Sequence, residues 1–414
     1  MLFSSSAFWV FYILVLVILQ INYIKIRSLL FQNSLLLIAS YFFYGYWDWR
    51  FLGLIFLVSA QTFISANLID RYKSTRKITL SISIIINVLI LGYFKYFDFF
   101  VSEFMANFNL KANFSLEHII LPVGISFYIF QSFTYVFDVF KEKIKPERDL
   151  IKYFTFISFF PQLVAGPIER ASTLLPQFYS IKGIELNTLY IGIKIIIIGL
   201  FLKVFIADSL ALHVDNIFTN YKNYNAGTLL LGSVGFTIQI YGDFAGYSFI
   251  AIGVAKIMGF SLMRNFNTPY FSTSIQDFWR RWHISLSSFF RDYVYIPLGG
   301  SRVSESKINR NLLITFALSG LWHGANWTFI IWGVIYGALL TIQRSSSFVP
   351  NKFIGWFITI TLIVFLWVLF RSDSLRDFYI FINIILTNPG LPEVGKSIVI
   401  FVFYWFLLDL ILLK

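Results

Sequence analysis

The chain has 414 residues, 57% of them hydrophobic and only 13% charged, with a formal net charge of +12. A soluble domain holds about 25% charged residues, and mean hydropathy here is +0.73, so there is too little polar surface to cover a globule in water. Composition therefore excludes a soluble enzyme and points to a multi-pass membrane protein. Without a Lys/Arg tract of the nucleic-acid type, the positive excess belongs to loops on one face of the membrane. The absence of Cys excludes disulfides, thiolate metal sites and a cysteine nucleophile.

Apolar runs near 7–24, 29–47, 51–69, 78–94 and 118–140 approximate the ~20 residues needed to cross. Met1–Ser6 has no basic segment, so Ala7–Tyr23 is expected to be a retained span and not a cleaved signal. Lys25 and Arg27 follow the first run, Arg71, Lys73, Arg76 and Lys77 the third, and Lys141, Lys143, Lys145 and Arg148 the fifth. If each run crosses once, these loops share a side, which the positive-inside rule makes cytoplasmic, with the N-terminus outside. Within Lys95–Glu117, residues Phe97, Phe100, Val101, Phe104 and Phe108 fall at helical spacing, the pattern of a helix in the outer interface. In Tyr153–Arg170, Pro161, Gly166 and Pro167 break any helix, so a re-entrant segment covered by protein is expected.

Further spans are expected near 188–206 and 228–260, the latter interrupted at Gly242–Gly246. Arg264–Arg310 then carries seven Lys/Arg against three Asp/Glu, again a cytoplasmic signature. Inside it, Ser274-Ile-Gln-Asp277 has the capping-box pattern, and a helix is expected to run on from there until Pro297-Leu-Gly-Gly300. Asp277 and Arg281 are four apart and share a face, as do Trp279 and His283. Such a helix is also what a basic interfacial anchor looks like. Asn311–Gln343 would be ~50 Å long as one helix, beyond a ~30 Å core, so it is either steeply tilted or broken near Trp322–Trp327. A break gives two limbs that return the chain to the basic side at Arg344. Last come runs at 353–370, 376–387 and 397–413. No internal repeat, linker or terminal soluble domain is visible, which gives one membrane domain over 1–414.

Four His occur: His118, His213, His283 and His323. His323 lies in Ser319-Gly-Leu-Trp-His-Gly-Ala-Asn-Trp327, inside an apolar run, where an ionisable group is costly and marks function. Small residues Ser319, Gly320, Gly324 and Ala325 admit a neighbouring backbone, and Trp322 and Trp327 can exclude water. A neutral imidazole there can act as a general base; it can equally be an interhelical hydrogen-bonding His. Asp243, in Gln239-Ile-Tyr-Gly-Asp-Phe-Ala-Gly-Tyr247, can orient a histidine, although a buried ion pair with a nearby Arg is the plainer expectation. The motifs of serine hydrolases, P-loop and dinucleotide enzymes and zinc proteases are missing, and no metal site is expected. An interrupted span with an intramembrane Asp also suits a transporter.

Several motifs resemble the membrane-bound O-acyltransferases, and within them the branch of the alginate O-acetyltransferase membrane subunit and its peptidoglycan-acetylating relatives. They are Leu121-Pro-Val-Gly-Ile-Ser-Phe127, Phe160-Pro-Gln-Leu-Val-Ala-Gly-Pro167, Asp243-Phe-Ala-Gly-Tyr-Ser248, Asp277-Phe-Trp-Arg-Arg-Trp-His-Ile-Ser-Leu-Ser287, Tyr295-Ile-Pro-Leu-Gly-Gly300 and Gly320-Leu-Trp-His-Gly324, all within about 118–345. Phe249 departs from the Asp that the branch often carries there, and the chain is short at its C-terminus, so a final element is expected to be missing. The resemblance implies an all-α polytopic bundle with re-entrant and interfacial helices, hollowed from both membrane faces. It implies His323 as catalytic histidine and His283 as the second motif histidine. Asp243, Asp277, Trp322 and Asn326 are expected in support, while Arg280, Arg281 and Arg291 are expected to receive the donor's phosphates or else lipid headgroups. The donor would be cytoplasmic acetyl-CoA, with no bound cofactor. The acceptor would be an extracytoplasmic esterase-like partner serving a cell-envelope polysaccharide, at a bacterial cytoplasmic (inner) membrane. A sister branch transfers D-alanine to teichoic acid.

Overall fold

The computed structural model describes residues 1, 3–107, 119–346 and 350–413, and among these there is no β-strand. Among the described residues eighteen α-helices follow in order: α1 (Ser6–Ile21), α2 (Leu29–Asp48), α3 (Leu52–Arg71), α4 (Arg76–Leu91), α5 (Phe97–Asn107), α6 (Ile125–Phe140), α7 (Leu150–Ser158), α8 (Ala171–Leu174), α9 (Leu186–Leu200), α10 (Ser209–Thr219), α11 (Ala226–Ile257), α12 (Ile275–Arg281), α13 (Ile284–Phe290), α14 (Glu305–His323), α15 (Trp327–Ser345), α16 (Lys352–Arg371), α17 (Leu375–Thr387) and α18 (Ile398–Leu412). Six helical runs among the described residues are long and apolar enough to cross a membrane: Ser6–Ile26, Leu29–Arg71, Arg76–Glu103, Leu186–Thr219, Ala226–Ile257 and Lys352–Arg371. This is a multi-pass helical membrane protein. The chain divides into two compact units, 1–197 with 248–263, and 198–247 with 264–414.

In the first unit α3 buries Ile55, Val58, Ser59, Thr62, Ser65, Ala66 and Ile69 along one stripe. Its hydroxyls bond back to their own helix, Ser59 Oγ to the Ile55 carbonyl at 2.7 Å and Thr62 Oγ1 to that of Val58 at 2.6 Å. They satisfy themselves in an apolar setting while keeping the packing face small. α6 starts at Ile125 because Gly124 takes φ 74°, and a Cβ there would meet the Leu163 backbone. The expected span from 118 is therefore shorter at its start, and His118 lies outside the described residues. α5 exists as a helix, but a widened turn at Gly92–Tyr96 joins it to α4 with no loop between them. The rest of the expected interfacial stretch, 108–117, is outside the described residues.

After α7 the chain is irregular yet buried through Phe159–Leu163. Several polar groups here are met by protein: the Phe160 N–H donates to Ser40 Oγ at 3.1 Å, and Gln162, with Gln131, donates to the Phe156 carbonyl at the end of α7. That is the condition for irregular backbone in a membrane protein. Farther on, buried Glu169 accepts from the Met263 N–H and from Thr173 Oγ1. Burial pushes its carboxyl up to about 7.

α11 corrects one expectation. It is continuous over 32 residues, with no interruption at Gly242–Gly246. Those glycines are contact points instead: a Cβ on Gly242 would lie 2.9 Å from the Leu202 carbonyl oxygen, and one on Gly246 2.7 Å from that of Gly199. Helical hydrogen bonds persist through glycine, and the missing side chains let a second helix close in. The expectation of two limbs in 311–343 holds. α14 ends at His323, and Asn326 caps α15 by accepting from the Thr328 N–H at 3.0 Å. The limbs lie against each other where Gly320 faces the Phe329 carbonyl and Gly333 that of Phe316.

Candidate active site

His323 sits at the closed end of the α14–α15 hairpin, in a cage of rings. Its imidazole centroid is 5.0 Å from Trp322, 5.2 Å from Trp332 and 5.3 Å from Phe370. Trp332 in turn packs on Trp279 and Trp367, at 5.7 and 5.8 Å. Trp322 also touches the second histidine, its centroid 6.0 Å from that of His283. One indole thus bridges the two imidazoles.

The expected single helix through His283 does not form. α12 stops at Arg281, and His283 takes the left-handed conformation, φ 43°, before α13 begins. Trp279 and His283 therefore do not share a helical face. The cause is a clasp by a strand of loop: the Asn267 N–H donates to the Arg281 carbonyl at 2.9 Å, and the Ile284 N–H to the Asn265 carbonyl at 2.8 Å. Ser274 caps α12, its Oγ accepting from the Asp277 N–H at 3.1 Å. His283 is 1% exposed and lies in a turn outside the six candidate spans. Burial pushes its imidazole below the ordinary value, and His323 adds to that in the same direction.

Two cavities lie at opposite ends of the hairpin. The first, about 560 Å³, borders its open end through Leu312, Thr315, Phe316 and Ser319 of α14 and Leu340, Gln343 and Arg344 of α15. Trp279, Leu286 and Phe290 add apolar wall, and Arg280, Arg291 and Arg344 give it three cations. Ser319 is one helical turn before His323. The second, about 380 Å³, borders the closed end through Asn326 and Phe329, with Phe236, Gln239, Asp243, Phe370 and Arg371–Asp373 around it.

Four candidate site residues singled out by sequence line these cavities, and neither His323 nor His283 lines either one. Arg280 and Arg291 line the first cavity. Arg281 does not: it is paired with Asp277 at 2.9 Å, as their spacing of four implies. Asp243 and Asn326 line the second cavity, and Asn326 also donates to the Asp373 carbonyl at 2.8 Å. Asp243 pairs with Lys203 at 2.5 Å, and at 56% exposure the expectation of a buried pair with an Arg is corrected. The residue holding His283 is Asn265, whose Oδ1 lies 3.1 Å from Nδ1. Asn265, Lys203 and the lining role of Arg344 had no sequence signal, because each is set by a long-range approach. His213 lies elsewhere, 2.9 Å from Ser397 Oγ.

His323 is thus half-buried at the turn of a hairpin whose open end borders a cavity with three cations and whose closed end borders a second, smaller cavity. Residues 34–372 match the family model of MBOAT, membrane-bound O-acyltransferases, and the chain belongs to that family: it is a membrane-bound acyltransferase. It is 40% identical over 388 residues to the "Probable alginate O-acetylase AlgI" of Pseudomonas putida, covering 91% of this chain and 78% of that one. It is 38% identical over 388 residues to the peptidoglycan O-acetyltransferase of Helicobacter pylori, covering 85% and 73%. Similarity to the teichoic acid D-alanyltransferase of Bacillus subtilis is 34% over 237 residues, 54% of this chain and 59% of that protein.

Proposed function

We propose that this protein O-acetylates a cell-envelope polysaccharide, taking acetyl groups from acetyl-CoA at the cytoplasmic face of a bacterial inner membrane, with its N-terminus outside. The acetyl group passes to an acceptor on the far face, an extracytoplasmic esterase-like partner that serves the polysaccharide. The observation that carries this reading is the pair of cavities at the two ends of the His323 hairpin. Arg280, Arg291 and Arg344 suit the phosphates of CoA, and the apolar wall beyond them suits its slender thioester arm. The relatives named for alginate and peptidoglycan acetylation are matched over far more of the chain than the D-alanyltransferase, which favours acetyl over D-alanyl.

The chemistry follows from what a hydroxyl lacks. It is a poor nucleophile near neutral pH, and a positioned base contributes about 10²–10⁴-fold. His323 takes the hydroxyl proton as the oxygen attacks the thioester carbonyl. The tetrahedral intermediate collapses, the carbon–sulfur bond breaks, and the proton passes to the leaving thiolate. His283, across Trp322, orients the thioester or His323. Transfer is direct, without an acetyl-histidine.

The test is the purified protein in liposomes, with labelled acetyl-CoA on the arginine side and alginate, peptidoglycan fragments or a secreted serine-esterase-like protein on the other. Label is expected on an acceptor, and none with His323→Ala. Full transfer by a folded His323→Ala protein, or solute movement without acetyl-CoA consumption, would overturn the reading. A D-alanyl carrier thioester, run in parallel, reports the sister reaction.

A further inference from the structure

His283 is held at φ 43°, a conformation that a non-glycine residue rarely adopts. Beside the Asn267–Arg281 bond, Asn265 holds it through both main chain and side chain. Asn265 is 1% exposed, as are His283 and Ser285. Its main-chain oxygen accepts from the Ile284 N–H at 2.8 Å. Its side-chain Oδ1 accepts from the Ser285 N–H at 3.2 Å and from Ser285 Oγ at 2.9 Å, and lies 3.1 Å from His283 Nδ1.

These contacts fix more than shape. A backbone N–H can only donate, so the Asn265 atom facing Ser285 is the carbonyl oxygen and not the amide nitrogen. An amide oxygen carries no proton, so Nδ1 must supply one to the bond between them. A neutral imidazole protonated on Nδ1 has its lone pair on Nε2. The opposite tautomer would set two lone pairs against each other at 3.1 Å in a site sealed from water, where unmet polar groups are costly. Ser285 Oγ, at 3.5 Å from Nδ1, is too distant to replace the amide oxygen.

We propose that Asn265 is a positioning residue of the acyl-transfer site, which holds His283 as its Nδ1–H tautomer and leaves Nε2 to accept a proton or hydrogen bond at the reacting centre. The proposal rests on the acyl-transfer reading above. It changes the part given to His283: a group locked with Nε2 unprotonated serves as an acceptor and not as a donor to the thioester oxygen. Contacts that hold the left-handed turn also dictate the tautomer.

The experiment uses full-length protein labelled with ring-¹⁵N histidine. The chain has only four histidines, and His283→Gln identifies the resonance. Wild type near pH 7.5 is expected to show His283 protonated on Nδ1. Asn265→Leu, which removes the acceptor at similar volume, is expected to lose that signature. Its kcat should fall by about 10–10²-fold, the usual scale for groups that orient a functional histidine, with KM for acetyl-CoA unchanged. Asn265→Asp keeps an acceptor for all three donors and should restore the tautomer and much of kcat. His283 protonated on Nε2 in wild type would overturn the proposal, as would a folded Asn265→Leu protein with wild-type tautomer and kcat. If Asn265→Leu does not fold, the wild-type spectrum and Asn265→Asp decide. A correct tautomer in a protein that acetylates no acceptor would instead overturn the functional reading.

Discussion

Gly320→Ala should damage the enzyme although it adds a single methyl group. On Gly320 a Cβ would stand 3.0 Å from the Phe329 carbonyl carbon and 3.2 Å from Gly333 Cα, and closer still to the Phe329 oxygen. Ordinary contacts begin at 3.4 Å, so α14 and α15 must part by at least 3.4 − 3.0 = 0.4 Å at the carbon and more at the oxygen. Backbone cannot rotate away as a side chain would, and overpacking of this kind costs about 1–3 kcal/mol. Against it stands the helix propensity gained by replacing glycine, about 1 kcal/mol. The net is a loss of about 0–2 kcal/mol. Gly92, with nothing within 4 Å of an added Cβ, receives only the favourable part, so Gly92→Ala should be stabilised by about 1 kcal/mol. His323 lies three residues beyond Gly320, and a displacement of about 1 Å at a reacting group can cost ~10²-fold. Acetyl transfer by Gly320→Ala should therefore fall by about tenfold or more, while Gly92→Ala keeps full activity. The assay is thermal melting in detergent beside transfer in liposomes. If both variants shift the melting temperature alike and both remain fully active, the hairpin is not close-packed in the way described.

His323→Ala should abolish transfer with normal insertion, and His283→Ala should reduce it less completely, measured as label on the acceptor with melting temperature alongside. Single neutralisations of Arg280, Arg291 and Arg344 should raise KM for acetyl-CoA, whereas Arg281→Gln, which does not line the first cavity, should leave it unchanged; equal effects at all four positions would refute the assignment of the first cavity to the donor. Burial raises the Glu169 carboxyl to about 7 in the fold against 4.5 ordinarily, so its contribution is fully present below about 4.5 and lost as pH rises through about 7. Stability of the wild type should fall across that window, and Glu169→Gln should flatten the slope; an unchanged slope in melting temperature against pH would count against it. Because native Cys is absent, single cysteines at Lys73, Lys143 and Arg302 should all resist an impermeant reagent applied from outside the cell, and labelling at 73 would reverse the orientation.

Some of this site was readable in the sequence because its causes are local. A 33-residue apolar stretch cannot be one upright span, and the Gly-Ala-Asn run after His323 marks where it turns. The Asp277–Arg281 pair follows from a spacing of four. The failures share one physical origin, the approach of distant chain. Gly242 and Gly246 read as breaks, yet they are where Leu202 and Gly199 come against α11. The helix through His283 is cut by Asn265, 18 residues earlier, which no periodicity anticipates. Asp243 found Lys203 and not an arginine because α11 meets the segment after α9 at those same glycines.

The ring cage around His323 has a consequence for what else crosses. Trp322, Trp332 and Phe370 pack edge to face about the imidazole, with Trp279 edge to face and Trp367 stacked on Trp332. A group handed from one molecule to another by bond exchange needs only a place for two atoms to meet, and no passage through which either molecule travels. Such a protein has no use for alternating access. Its membrane should keep full electrical resistance through every turnover, a property that planar-bilayer recording with substrate on both sides can read directly.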